Sequence, residues 1–175
     1  DKANITGVTG VTLNNKVYDG TTNASFNTST ANLAGMVTGD NLSLTGGSAS
    51  FASKNVGLAI NVSVSNLTLG GADAGNYNVV SGVSSFNGTA NITPATISGV
   101  TGITAANKLY DGTTNATLNT SAAGFTGKVG SDVLNVSSAT GAFATAAPGT
   151  GKVVNVSNIS LGGADASNYV LANTT

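Results

Sequence analysis

Histidine, cysteine, tryptophan, arginine, glutamate and glutamine are all absent from this chain, and proline occurs only twice. Without thiols or imidazoles there is no disulfide framework, no thiol nucleophile, no imidazole base and no zinc or haem ligand set. Charge is equally sparse. Six lysines and seven aspartates leave a net charge of −1, and only 7% of residues are charged, against about 25% in an average soluble protein. With no arginine there is no basic face to neutralise a phosphate backbone, so nucleic acid is not expected as a partner. No apolar run approaches the eighteen or so residues of a membrane span, so no membrane insertion is expected. The chain opens on Asp1-Lys2-Ala3-Asn4 without a recognisable leader, as expected of a processed or excised piece.

What is present is small and polar. Of 175 residues, 66 are Ser, Thr or Asn and 24 are Gly. Disorder is not the expectation, because 40% of residues are hydrophobic and mean hydropathy is +0.18, whereas disordered chains pair low hydrophobicity with high net charge. Val, Leu, Ile and Thr in short alternating runs point to an all-β fold with essentially no helix.

An internal repeat organises the chain. KVYDGTTNA at Lys16–Ala24 returns as KLYDGTTNA at Lys108–Ala116, and LGGADAGNY at Leu69–Tyr77 returns as LGGADASNY at Leu161–Tyr169. A constant offset of 92 residues relates both pairs. Two domains are expected, 1–94 and 95–175, with Pro94 at the seam. Expected strands include Ile5–Thr12, Ala24–Asn27, Leu42–Thr45, Tyr77–Val80 and Ser84–Ile92. Apolar alternation through Ile60, Val62 and Val64 slips by one residue before Leu67 and Leu69, which predicts a bulge or a sheet-switching bend at Ser65-Asn66. The same slip recurs at Ser157-Asn158.

The motif residues are read first as structural. Tyr18-Asp19-Gly20 and Tyr110-Asp111-Gly112 spell tight turns anchored by a half-buried Tyr, with Gly supplying positive φ and Asp accepting backbone N–H bonds. Each motif supplies one carboxylate, where acid/base chemistry wants a pair. Tyr77 and Tyr169 open strands after a loop, as in a tyrosine corner, in which the hydroxyl bonds back to backbone. Asp73 with Asn76, and Asp165 with Asn168, are the weaker candidates for calcium, a hard cation that takes oxygen ligands. No cofactor is expected. Asn-x-Ser/Thr occurs fourteen times. Asn23, Asn87 and Asn119 are the glycosylation candidates, because strand alternation does not obviously account for them. A covalent Lys–Asn cross-link through Lys16 or Lys108 is a further use of the repeated lysines.

A Lys-x-Tyr-Asp-Gly-Thr-Thr motif followed about fifty residues later by Leu-x-Gly-Ala-Asp-Ala-Gly-Asn-Tyr resembles the YDG repeat domain and its MBG-type relatives in large bacterial surface adhesins. The resemblance covers nearly the whole chain; the departures are Ser167 for Gly75 and Leu109 for Val17. It implies two tandem immunoglobulin-like β-sandwiches in filamentous-haemagglutinin-like exoproteins. They would be secreted to the extracellular face of a bacterial, Gram-negative, cell surface and act in cell adhesion as stalk or spacer modules of a filament. The alternative is direct binding of a carbohydrate or receptor. Expected partners are neighbouring repeats and a glycan or host-surface ligand, and no enzyme activity is implied. One asymmetry adds an expectation. Ser84–Ile92 forms a plausible closing strand for the first domain, and the second lacks an equivalent. Lys2–Thr6 of a neighbouring chain, similar to Thr89–Thr93, would then complete it in a head-to-tail assembly.

Overall fold

The computed structural model describes residues 1–172. The chain folds as two compact units, Asp1–Thr93 and Pro94–Thr175, with the seam one residue from the boundary expected from the repeat. The fold is all-β. Its helical content among the described residues is two single 3₁₀ turns, Ala74–Asn76 and Ala166–Asn168, and no helix there is long and apolar enough to cross a membrane.

In the first unit the strands are β1 (Ala3–Ile5), β2 (Gly7–Thr9), β3 (Thr12–Leu13), β4 (Lys16–Val17), β5 (Asn23–Ala24), β6 (Phe26–Asn27), β7 (Asn32–Ala34), β8 (Ser43–Thr45), β9 (Ser48–Phe51), β10 (Gly57–Ser65), β11 (Thr68–Gly70), β12 (Tyr77–Val79) and β13 (Phe86–Thr93). The largest sheet has the order β4-β13-β10-β9-β5. It is antiparallel except at β4, which pairs in parallel with the end of β13 through Ile92↔Lys16 and Thr93↔Val17. Shorter two-stranded ladders join β1 with β12, β2 with β7, β3 with β6 and β8 with β11. The run expected as one strand, 5–12, is broken into three. Gly10, at φ 75°, ends β2 where a side chain would collide with the Thr30 carbonyl.

The phase slip at Ser65-Asn66 is a sheet-switching bend. Asn66 has φ 57°, and the chain leaves the five-stranded sheet at Ser65 to pair with β8 from Thr68 onward. Val62, Val64 and Leu67 are all buried across the bend. With Ile5, Phe51, Tyr18, Tyr77 and Ile92 they form the first unit's core.

In the second unit the strands are β14 (Ala95–Ile97), β15 (Gly99–Thr101), β16 (Thr104–Ala105), β17 (Asn115–Ala116), β18 (Leu118–Asn119), β19 (Gly124–Thr126), β20 (Asn135–Phe143), β21 (Val154–Gly162) and β22 (Tyr169–Leu171). Here the same slip is a bulge: β21 runs on through Asn158, at φ 53°, and stays paired with β20 across two register shifts. The sheet has only the order β17-β20-β21. Lys108–Leu109, the counterpart of β4, is not a strand.

One expectation is corrected here. Lys2–Thr6 is not a free donor strand, since β1 pairs in parallel with β12 of its own unit, Ala3↔Tyr77 to Ile5↔Val79. Head-to-tail assembly through that segment is therefore withdrawn. Asn23, Asn87 and Asn119, the glycosylation candidates, lie exposed on β5, β13 and β18, and Asn119 Oδ1 accepts the Ser121 N–H and hydroxyl in the turn that follows β18. The last of the fourteen Asn-x-Ser/Thr sites, Asn173, lies outside the described residues.

Candidate functional site

The repeated Tyr-Asp-Gly-Thr segment closes around a lysine. Lys16 Nζ donates to Asp19 Oδ1 at 2.7 Å and to the Thr21 carbonyl at 2.7 Å. Asp19 Oδ1 also accepts the Thr21 N–H and hydroxyl, both at 2.9 Å. Gly20, at φ 76°, makes the turn that lets Thr21 fold back. The aliphatic stem carries Nζ to 5.5 Å from the centre of the Phe51 ring, a cation–π distance. The second unit repeats the arrangement. Lys108 Nζ reaches Asp111 Oδ1 at 2.8 Å and the Thr113 carbonyl and hydroxyl at 2.9 Å, and Gly112 has φ 75°. Both ammonium groups are thus held by the turn itself, and no Asn is among these partners of Lys16 and Lys108.

These contacts set the carboxyl groups. Burial alone would raise Asp19, but the Lys16 ammonium and the Thr21 donors outweigh it and hold the group below its ordinary 3.8. At Asp111 the Lys108 hydrogen bond leads, with Thr113 adding two more, and the carboxyl falls to about 2. Such a carboxylate stays ionised through neutral pH and is a poor proton shuttle.

The Gly-Gly-Ala-Asp segment forms a second clamp. Asp73 Oδ2 accepts the Asn41 N–H at 2.8 Å, and the Asp73 N–H returns a bond to the Asn41 carbonyl at 3.2 Å. Gly71 has φ 99° and packs so close to that carbonyl that a Cβ would overlap it. Asn76 closes the 3₁₀ turn by donating its backbone N–H to the Asp73 carbonyl at 2.9 Å. Tyr77, at the start of β12, sends its hydroxyl to Asp40 Oδ2 at 2.6 Å and accepts the Val37 N–H at 2.9 Å. In the second unit Asp165, Asn168, Tyr169, Asp132 and Val129 make the equivalent contacts. The tyrosine does bond to backbone, but in a loop 40 residues upstream. Asp40 and Asp132 went unread at the sequence level, though they too repeat at the 92-residue offset. Asp40 leads in raising the Tyr77 phenol, and burial adds to it. For Tyr169 burial leads and Asp132 follows, pushing the phenol up to about 12. Asp73 and Asp165 each spend a carboxylate oxygen on backbone, and among the described residues no cluster of three metal-ligating side chains forms.

The units differ where β13 lies. β13 fills the space between β10 and β4, with Phe86↔Val64, Gly88↔Val62 and Ala90↔Ile60 in register. Beneath it Tyr18 is only 3% exposed, and the Tyr18 N–H donates to the Thr93 carbonyl at 2.8 Å. In the second unit no described strand pairs with that side of β21. Tyr110 is 68% exposed and Leu109 91%, which corrects the expectation of a half-buried anchor. Val154 and Val156 rise to intermediate exposure, and two depressions of about 500 Å³ and about 370 Å³ run along this edge. Tyr110, Phe143, Lys108 and Val154 line the first, and Val156, Ile103 and Ile159 the second.

A family model described as the YDG domain matches residues 2–85 and, in a second copy, 86–175. No curated protein and no solved structure matches the chain. The match corrects the reading drawn from the motifs. It is to the YDG domain and not to MBG-type adhesin repeats, and it carries no adhesin stalk or spacer role, no carbohydrate- or receptor-binding adhesive role, and no secreted or filament character. The exclusion of nucleic acid is withdrawn with these, since it rested on whole-chain charge and has no standing as a property of the family. Matched twice over nearly its whole length, the chain belongs to the YDG domain family.

Proposed function

We propose that the chain is a non-enzymatic protein-interaction module that accepts an extended strand beside β21, with each unit an immunoglobulin-like β-sandwich and the two arranged in tandem. The observation that carries this reading is the contrast between Tyr18 and Tyr110, 3% and 68% exposed, in turns of the same sequence and nearly the same hydrogen bonds. An edge strand beside exposed apolar side chains is a template for strand addition, in which main-chain bonds give affinity and alternate side chains give specificity. The charged groups favour this over catalysis. Lys108 and Asp111 neutralise one another in the turn, and Tyr169 is held protonated far above neutral pH.

The test is titration of the protein with a short peptide of alternating Thr and Val, followed by tyrosine fluorescence and backbone amide shifts. The expected result is saturable change confined to residues 103–110 and 149–156. Leu109→Asp, at a site too exposed to affect folding, is expected to weaken binding at least tenfold. Shifts spread over both units, or none at all, would refute the reading.

A further inference from the structure

We infer that the Lys16 and Lys108 clamps guard two labile backbone sites, Asp19-Gly20 and Asp111-Gly112, against spontaneous rearrangement to isoaspartate. Loss of the lysine alone would make each turn a site of covalent modification.

The chemistry is intrinsic to the dipeptide. The glycine amide nitrogen attacks the aspartate Cγ and forms an N–C bond. The carboxyl hydroxyl departs with the amide proton as water. Water then opens the five-membered imide at one of its two carbonyls. Attack at Cγ restores aspartate, whereas attack at the main-chain carbonyl leaves the chain running through the side chain. No oxidant or other reagent enters. Glycine favours the step, because without a Cβ its nitrogen is unshielded and its backbone bends freely.

Asp-Gly or Asn-Gly occurs three times in the chain, at 19–20, 87–88 and 111–112. Asn87-Gly88 lies within β13, in register with Ser63 and Val62 of β10. Ring closure there would rotate the backbone out of a ladder whose hydrogen bonds are costly to lose. The two Asp-Gly pairs have no such restraint. They lie in turns outside any strand, with aspartate side chains 51% and 53% exposed.

Their protection comes from the clamp. Asp19 Oδ1 receives the Lys16 ammonium, the Thr21 N–H and the Thr21 hydroxyl, at 2.7, 2.9 and 2.9 Å. Asp111 Oδ1 receives the same three groups from Lys108 and Thr113, at 2.8, 2.9 and 2.9 Å. The imide is uncharged, so ring closure abolishes the ion pair whichever oxygen departs. The step also needs the neutral carboxyl, since the ionised one has no good leaving group, and all three donors favour the ionised form. Holding Asp111 at about 2 instead of 3.8 cuts its neutral fraction roughly sixtyfold near neutral pH. Each ammonium also sits over a phenylalanine of the same unit, 5.5 Å from the Phe51 ring centre and 5.7 Å from that of Phe143. The clamp is therefore positioned from outside the turn that it protects.

The experiment ages the whole chain in mildly acidic buffer beside its Lys16→Met and Lys108→Met variants, and counts isoaspartate by peptide mapping. Lys16→Met should speed isoaspartate formation at Asp19 roughly five- to tenfold and leave Asp111 unchanged. Lys108→Met should do the reverse. Asn87-Gly88 is the internal gauge of folding, because its deamidation requires β13 to open. If deamidation at Asn87 rises in step with Asp19 in Lys16→Met, the lysine acts only by holding the fold, and the proposal is overturned. No acceleration on loss of the lysine overturns it as well. So does a native chain that isomerises at Asp19 as fast as an unfolded peptide of residues 14–24.

Discussion

The Tyr77 hydroxyl donates to Asp40 at 2.6 Å across 37 residues of chain, joining the start of β12 to the loop that follows β7. A second bond, from the Val37 N–H into the same oxygen, makes the phenol both donor and acceptor in a site where the ring is buried. Hydrogen bonds to charged groups contribute about 1.5–3 kcal/mol each. Tyr77→Phe is expected to lower the first unit's unfolding free energy by about that amount while leaving the second unit's transition in place. Calorimetry on the whole chain would resolve this. In a double-mutant cycle with Asp40→Asn, the two losses should be markedly non-additive.

Alkaline pH should loosen the equivalent bond in the second unit. The Tyr169 phenol is raised from 10.0 to about 12 by burial and Asp132, so the folded form holds its proton more tightly than the unfolded chain. Its contribution is complete below pH 10 and disappears as pH climbs through about 12. Absorbance titration near 295 nm should show a late step close to pH 12 that Tyr169→Phe removes. Because the Tyr77 phenol is raised as well, the measure is amplitude: a late step of undiminished size in that variant would contradict the assignment.

Acid acts on the other clamp with the opposite sign. Asp111 is depressed from 3.8 to about 2, chiefly by the Lys108 ammonium. Its stabilisation is present above about pH 4 and fades as pH falls toward 2. Carboxyl carbon shifts should place its midpoint near 2 in the native protein. Lys108→Met should raise the midpoint toward 3.8, with the two Thr113 donors still holding it below that value.

The glycines of one motif should respond very differently to substitution. Gly71→Ala places a methyl against the Asn41 carbonyl at φ 99°, and strain of this kind costs about 1–3 kcal/mol. Gly75 has nothing within 4 Å of an added Cβ, and its counterpart is Ser167. Gly75→Ser is expected to leave the unfolding midpoint unchanged within about 0.5 kcal/mol. Denaturant titrations of the two variants side by side would check both.

Much of the architecture is legible in local pattern. The one-residue slip after Val64 announces the bend at Asn66, because burial on one face makes a change of phase visible as soon as the chain turns over. Asp-Gly and Gly-Gly likewise announce positive φ. The pairing of Tyr77 with Asp40 is not legible that way, since neither residue carries a local signal for a partner so far off. The shared offset of Asp40 and Asp132 is the trace that could have raised it. The fate of Lys16-Val17 is beyond any local reading. Almost the same residues form a strand in one unit and none in the other, because the strand exists only where Ile92 and Thr93 lie beside it. The family likeness was carried by the motifs themselves, but a role for the family was not.

The placement of β13 between β4 and β10 also bears on how the first unit comes into being. Lys16 meets Ile92 across 76 residues, so the β4 edge cannot form until nearly the whole unit has been synthesised. A nascent chain ending before Phe86 presents β10 with one side unpaired, and β4 lacks β13, the strand it pairs with in parallel. Closing so long a loop before any contact rewards it slows folding, placing such topologies in the millisecond-to-second range. The emergence of eight residues near the end of the unit is thus the event that commits the first unit to its native form.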